Sequence, residues 1–199
     1  MGVVKLSTAG IRNYSKTSDF LSGNLPLSLG SFDLLETTTL ASSASSVTFS
    51  GLGAYSDYKH LQIRAITRAS SALGLKATLL NFNADTASNY AFHYLRGNGS
   101  SVLSDANPNR GFIRGWFNTD SSSTTGAFAG AVVDILDFNN SSKFTTTRSL
   151  EGSLGGNNGI ALWSGLWQST AAITSIAISV EDGFNYVAGS RFSLYGSKG

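Results

Sequence analysis

The stretch His60-Leu-Gln-Ile-Arg-Ala-Ile-Thr-Arg-Ala69 alternates apolar and polar side chains from Leu61 to Ala65 with a period of two residues. Leu61, Ile63 and Ala65 fall on one face, and polar side chains separate them. This pattern is typical of a β-strand with one buried face. The segment 173–180 repeats it, with isoleucine and valine on one face and serine on the other. The sequence therefore indicates an all-β fold.

Further runs of β-forming residues lie on both sides of these two segments, separated by clusters of Gly, Asn, Asp and Ser. Both prolines, Pro26 and Pro108, fall outside the runs, as expected for strands. Ten short strands without a long helical pattern predict an antiparallel, jelly-roll-like β-sandwich. The predicted strands are 47–52, 60–69, 75–82, 90–95, 111–118, 127–138, 143–150, 160–167, 173–180 and 186–195.

The first 45 residues keep neither the helical nor the strand period. We therefore predict an extended N-terminal arm over residues 1–45 and a sandwich domain over residues 46–199. Apolar residues at irregular spacing favour a segment that docks onto another protein, although packing of the arm on its own domain remains an alternative. The predicted docking residues are Ile11, Tyr14, Phe20, Leu21, Leu25, Leu27, Phe32 and Leu35.

Composition restricts the function classes. The net charge of +2 comes from side chains that are scattered along the chain. No block of basic residues could bind along a phosphate backbone, so we expect no nucleic-acid partner. The absence of cysteine excludes disulfides, thiolate zinc sites and a cysteine nucleophile. No stretch approaches the ~20 apolar residues that span a bilayer, and no signal peptide is recognised. We therefore expect the chain either to stay in the cytoplasm in which it is made or to leave it by cell lysis, without membrane insertion.

Candidate catalytic residues are few. A Ser or Thr nucleophile would need His60 or His93, and His93 shares its predicted face with alanine and leucine, which favours a packed histidine. Asp134 and Asp137 are an odd number of residues apart and so lie on opposite faces of a strand, which separates them as an acid and base pair. The segment 181–183 is predicted to be a hairpin turn. We therefore predict no catalytic residues and no enzyme activity.

Two further groups are candidates for binding. Asn83 and Asp85, within Asn81-Phe-Asn-Ala-Asp-Thr86, offer oxygen ligands that could coordinate Ca²⁺, but turn formation is the favoured interpretation, and no cofactor is predicted. Trp116, Trp163 and Trp167 are either core residues or surface contacts for a sugar or a neighbouring subunit.

Several segments resemble a family of tailed-phage virion proteins described as tail-fibre or structural proteins, over about Phe32 to Gly196. The opening segment, from Lys5 to Asn24, resembles an attachment segment of phage structural proteins. The family is defined by strand and turn motifs, so the resemblance implies no catalytic residue. The motifs are Ser31-Phe-Asp-Leu-Leu-Glu-Thr-Thr-Thr-Leu40, Ser46-Val-Thr-Phe-Ser-Gly-Leu52, Tyr58-Lys-His-Leu-Gln-Ile-Arg64, Asn81-Phe-Asn-Ala-Asp-Thr86, Ser164-Gly-Leu-Trp-Gln-Ser-Thr-Ala-Ala-Ile-Thr-Ser-Ile176 and Gly189-Ser-Arg-Phe-Ser-Leu-Tyr-Gly196.

The resemblance and the residue patterns together predict a structural component of a virion, at a tail fibre or baseplate. The arm would bind other virion proteins, and the chain would form a homo-oligomer, expected to be a trimer. One alternative is a capsid decoration protein, which shares the arm and sandwich design. A host-surface glycan-binding module would need exposed tryptophans clustered at one edge. An enzyme acting on surface polysaccharide would need two close carboxylates in a groove.

Overall fold

The computed structural model describes residues 31–72, 74–153 and 159–198. Over these ranges the chain forms twelve β-strands and two short 3₁₀ turns, Leu52–Tyr55 and Glu181–Gly183. The strands are β1 (Asp33–Thr39), β2 (Ser46–Ser50), β3 (His60–Thr67), β4 (Lys76–Phe82), β5 (Tyr90–Gly97), β6 (Val102–Arg110), β7 (Ile113–Asn118), β8 (Ala129–Leu136), β9 (Thr145–Ser153), β10 (Gly159–Trp167), β11 (Ser175–Val180) and β12 (Arg191–Ser197).

The strands form two antiparallel sheets. The large sheet has eight strands in the order β1-β12-β3-β8-β9-β10-β5-β6, and the small sheet has four in the order β2-β11-β4-β7. The two sheets enclose one hydrophobic core. The predicted all-β sandwich is confirmed, whereas jelly-roll connectivity stays a prediction. No helix in the described part of the chain is long and apolar enough to cross a membrane.

Strand alternation sets the composition of the core. In β11, Ile176, Ile178 and Val180 are buried while the serines on the opposite face are partly exposed, as predicted. In β3, Leu61 and Ile63 are likewise buried. Large aromatic side chains from both sheets fill the space between them, which accounts for much of the apolar area that the fold removes from water.

The predicted boundary between arm and domain at residue 46 is wrong. β1 lies within the predicted arm, yet it forms the edge strand of the large sheet and pairs with β12 from Asp33 to Thr39. Leu35 packs against the core, and Phe32 is 40% exposed. The other predicted docking residues, Ile11, Tyr14, Phe20, Leu21, Leu25 and Leu27, lie outside the described residues. The sandwich therefore includes β1, and the arm is at most residues 1–32.

The position of Pro108 is a second correction. Pro108 lies within β6, a strand that the sequence patterns did not predict. Because β6 is the edge strand of the large sheet, the missing N–H of proline removes no bond from the interior of the sheet. The register shifts between Tyr90 and Phe92 of the neighbouring β5, so the proline sits at an irregularity in the pairing.

The segment Glu181–Gly183 is a 3₁₀ turn rather than a hairpin turn. It follows β11 of the small sheet, whereas the next strand, β12, belongs to the large sheet. Glu181 forms an ion pair with Arg114, and Asp182 forms one with Lys76 at 2.7 Å. These pairs attach the crossing between the sheets to β7 and β4.

Candidate functional site

The three tryptophans are buried, so of the two alternatives they are core residues and not surface contacts. Trp116 is 0%, Trp163 4% and Trp167 2% exposed. All three side chains point between the two sheets, where an indole removes a large apolar area from water. The Trp116 Nε1–H donates to Thr67 Oγ1 at 2.9 Å, and the Trp167 Nε1–H donates to Asp85 Oδ2 at 2.8 Å.

The two histidines do not meet a nucleophile in the arrangement a hydrolase would need. His60 Nδ1 accepts a hydrogen bond from the backbone N–H of Asp137 at 2.9 Å. This histidine therefore holds the backbone that follows β8. His93 is exposed on the outer surface of the large sheet, which corrects the predicted packed position. The opposite face of β5, with Tyr90 and Phe92, is the buried one, because that face meets the small sheet.

The acidic candidates also bind separate partners. Asp134 Oδ1 accepts from Gln62 Nε2 at 2.8 Å, and its Oδ2 accepts from Arg148 Nε at 2.9 Å. Asp137 follows the end of β8 and forms an ion pair with Lys143, whose hydrogen bond holds the pKa of that carboxyl below its ordinary value. Each carboxylate is thus held by a basic side chain, the arrangement of a structural ion pair.

The candidate calcium loop is a turn closed by its own side chains. Asp85 accepts from the Ala87 N–H at 2.9 Å and from Asn89 Nδ2 at 2.8 Å, besides the Trp167 bond. Of these contacts, the hydrogen bond from Asn89 makes the largest contribution to lowering the pKa of Asp85. Asn83 Oδ1 accepts the Thr174 N–H at 2.7 Å. Among the described residues, no group of three or more His, Asp or Glu side chains could hold a metal ion.

Glu151 is a buried carboxyl that the sequence patterns did not indicate. It lies in β9, it is 2% exposed, and its directly opposite neighbours, Ala131 in β8 and Ala161 in β10, are small. Burial raises the pKa of Glu151 to about 8, against an opposing effect of Arg96 and a backbone hydrogen bond from Phe117. Glu151 is therefore a buried carboxyl in the core of the sandwich, with Arg96 as a charged neighbour.

The surface of the large sheet that points away from the small sheet carries a row of exposed apolar side chains. Strand pairing aligns Val132 of β8, Leu150 of β9, Leu162 of β10 and Leu95 of β5 directly opposite one another. We call these four residues the apolar row. They are 39%, 48%, 55% and 50% exposed, so large aliphatic side chains form one continuous stripe across four strands. Exposed apolar patches of this kind mark interaction surfaces.

Two further rows border the apolar row. One consists of small and aliphatic residues and is called the glycine row: Ile66, Gly130, Gly152, Ile160, Gly97 and Val102, from β3 to β6. The other is called the polar row: Gln62, Asp134, Arg148, Ser164, His93 and Ala106 on the same six strands. We use the name outer face for the three rows together.

Two shallow depressions lie on the outer face. One, of about 550 Å³, is lined by Val132, Leu150 and Leu162 together with the Asp134 and Arg148 pair. The second, of about 510 Å³, is lined by residues that include His93, Ala106, Pro108, Ser164 and Leu166. Both open to solvent along the sheet, a shape that fits an extended protein surface better than an enclosed small molecule.

No protein-family model, no curated protein and no solved structure matches this chain. Its function is therefore inferred from the geometry of the outer face and from the segment resemblances in the sequence.

The sequence contained part of the signal for the outer face. In β10, large apolar side chains occur at both odd and even positions of Gly159–Trp167, so that strand is apolar on both faces. That pattern alone predicts a strand covered on both sides. The alignment of four such positions across four strands depends on the strand order β8-β9-β10-β5, which local sequence patterns do not encode.

Proposed function

We propose that this chain is a non-enzymatic structural component of a tailed-phage virion, placed at a tail fibre or baseplate. In this proposal the sandwich is a rigid body, the N-terminal segment attaches it to a neighbouring virion protein, and several copies assemble together. The observation that carries the proposal is the apolar row. A stripe of four exposed aliphatic side chains on a well-packed sandwich is a surface for protein contact.

The distribution of polar side chains favours a structural role. In the described residues the candidate acids and bases are used in ion pairs, turn caps and loop contacts, as for Asp134, Asp85 and His60. An enzyme on surface polysaccharide would instead need two carboxylates facing one groove. The glycan-binding alternative loses its expected residues, because all three tryptophans are buried.

Incorporation into particles tests the proposal. Particles are purified from lysates of the bacterium that produces this protein, and the chain is quantified by mass spectrometry. We expect the full chain in a fixed ratio to the other virion proteins. A chain in which Phe20, Leu21, Leu25 and Leu27 are replaced by Ser is expected to remain folded but to be lost from the particles.

A matched control changes four polar residues of the same segment, Ser7, Ser15, Ser18 and Ser22, to Ala. This control is expected to be incorporated like the unmodified chain, because the apolar contacts are retained. Equal incorporation of both variants, or absence of the full chain from purified particles, would contradict the proposal. Labelling of the incorporated chain by electron microscopy distinguishes a tail position from capsid decoration.

A further inference from the structure

The outer face is arranged almost symmetrically about its own centre. The six strands that carry the three rows follow the order β3-β8-β9-β10-β5-β6, so the middle of the face lies between β9 and β10. Counting outward from this line pairs β9 with β10, β8 with β5 and β3 with β6. A two-fold axis along the strands at this line would place each strand of one copy over its counterpart in a second copy.

Side chains that meet in this arrangement match in chemistry. In the apolar row, Leu150 would meet Leu162 of the second copy, and Val132 would meet Leu95 of the second copy. In the glycine row, Ile66 and Val102, which are 42% and 72% exposed, would meet at each outer end. Apolar side chains thus meet apolar side chains at the centre of the apolar row and at the ends of the glycine row. At the ends of the apolar row, Arg64 of β3 would meet Ser104 of β6, which adds no repulsion between like charges.

The glycine row also provides space for its largest central side chain. Ile160, 58% exposed, would lie over Gly152 of the second copy. A Cβ atom built on Gly152 would find only one atom within 4 Å, a backbone oxygen at 3.9 Å. The isoleucine therefore projects toward an open position, and the reciprocal contact repeats this fit on the other side of the axis.

Under the same operation the polar row places hydrogen-bonding side chains opposite one another on its four central strands. Asp134 would face His93 of the second copy, and Arg148, whose side chain is 70% exposed, would face Ser164 of the second copy. No like charges are brought together in this row. In an isologous contact a surface meets itself, so a face with a net charge at its centre would repel its own copy.

From these contacts we propose that the outer face binds a second copy of this chain, through a two-fold axis that runs along the strands between β9 and β10. Six strands about 4.8 Å apart give a face about 29 Å wide. With three rows about 7 Å apart and the adjoining row at Leu136 and Leu166, the face approaches the ~800 Å² per partner of a standard protein interface. Two sheets packed in this way lie about 10 Å apart, as in other sandwiches.

Light scattering of the full chain in solution tests the inference. We expect a mass of two chains, or an even multiple. Leu150→Lys places a charge at the centre of the apolar row and is expected to reduce the mass to half. The matched control Leu34→Lys changes a leucine that is 59% exposed on β1, outside the six strands, and is expected to leave the mass unchanged.

Chemical crosslinking tests the position of the axis. The chain has no cysteine, so a single introduced thiol reports one position. Measured along the face, Leu150 lies one strand spacing, about 5 Å, from Leu150 of the second copy. Val102 lies five strand spacings, about 24 Å, from Val102 of the second copy. A short bis-maleimide is expected to link Leu150→Cys chains into covalent dimers and to leave Val102→Cys chains single. A mixture of Ile66→Cys and Val102→Cys chains is expected to crosslink.

The outcomes separate this inference from the proposed function. A single-chain mass, a three-chain mass, or a mass that Leu150→Lys does not change would overturn the two-fold contact. Circular dichroism of the Lys variants checks that the sandwich stays folded, as expected for a substitution on an exposed face. Particle incorporation depends on the N-terminal segment, so its result stands whether or not copies pair through the outer face.

Discussion

Gly165 occupies a position in β10 where a larger residue does not fit. A Cβ atom there would lie 2.5 Å from Thr147 Oγ1 and 2.6 Å from Ile113 Cγ2, which belong to strands of the two different sheets. Gly165→Ala should therefore lower the free energy of unfolding by about 1–3 kcal/mol through overpacking. Urea titration measures the change. Gly130→Ala is the control, because nothing lies within 4 Å of its Cβ position, and equal stability losses for the two variants would contradict the prediction.

The buried Glu151 predicts how stability changes with pH. Its pKa is about 8 in the folded chain against an ordinary value of 4.5, so the folded state keeps a proton that the unfolded state has released. The contribution of this carboxyl to the free energy of unfolding is fully present below pH 4.5 and is lost as the pH rises toward about 8. Glu151→Gln should remove this loss of stability with rising pH. Near pH 8 the variant should therefore be more stable than the unmodified chain.

Urea titrations at a series of pH values measure this effect. Glu36→Gln, on the edge strand β1, serves as a control for the loss of one carboxyl. If the stability of the unmodified chain were flat across the window, or if the Glu151 and Glu36 variants behaved alike, the burial of Glu151 would not control the pH dependence.

Sequence patterns predicted the buried side of some strands and not of others. For β11 one face is apolar and the other is polar, and residues 61–65 of β3 follow the same pattern, so the inward face follows directly. For β5 both faces carry large or apolar residues, so the sequence pattern favours a packed His93, whereas this side chain points outward. The deciding fact is which face meets the small sheet, and that depends on contacts between residues far apart in the chain.

At the level of elements, Arg68 organises the loop between β7 and β8. Its guanidinium donates to four backbone carbonyl oxygens, of Ser121, Ser123, Thr124 and Ala127, at distances from 2.9 to 3.1 Å. A lysine ammonium cannot present donors to four carbonyls in one plane. Arg68→Lys should therefore release this loop and lower the free energy of unfolding by about 1–3 kcal/mol.

Hydrogen exchange of the backbone amides measures the local effect. We expect faster exchange in residues 121–127 and unchanged exchange in β11. Arg191→Lys, at an exposed arginine in β12, is the matched control. Uniform protection of the loop in both variants would show that other contacts hold it.

The two strands that sequence patterns missed have a common physical feature. β6 is exposed on nearly every residue, so it lacks the apolar alternation that identifies a half-buried strand. β1 is rich in threonine and lacks a clear alternation of apolar and polar side chains, so the sequence pattern places it in the arm. Both are edge strands of the large sheet, where one side of the backbone has no neighbouring strand among the residues that the structure describes. Their identification as strands depends on pairing with β12 and β5, which is not visible in their own side chains.

For the whole molecule, the class of fold could be predicted, and the arrangement of strands could not. Ten of the twelve described strands correspond to predicted runs. Strand order joins distant segments, as when β3 pairs with β8 on one side and β12 on the other. The candidate site arises only from that order, because the apolar row combines residues from β8, β9, β10 and β5. Local patterns contain its residues but not their alignment.

The whole molecule, as we propose it, divides its tasks: a self-sufficient sandwich carries the contact face, and the preceding segment attaches it. Limited proteolysis, followed by thermal unfolding of the full chain and of a chain that begins at Ser31, tests this most directly. We predict that protease removes the segment before β1, that residues 31–199 remain as one resistant fragment, and that the shortened chain unfolds at nearly the same temperature. A protease-resistant N-terminal segment whose removal unfolds the sandwich would contradict this division.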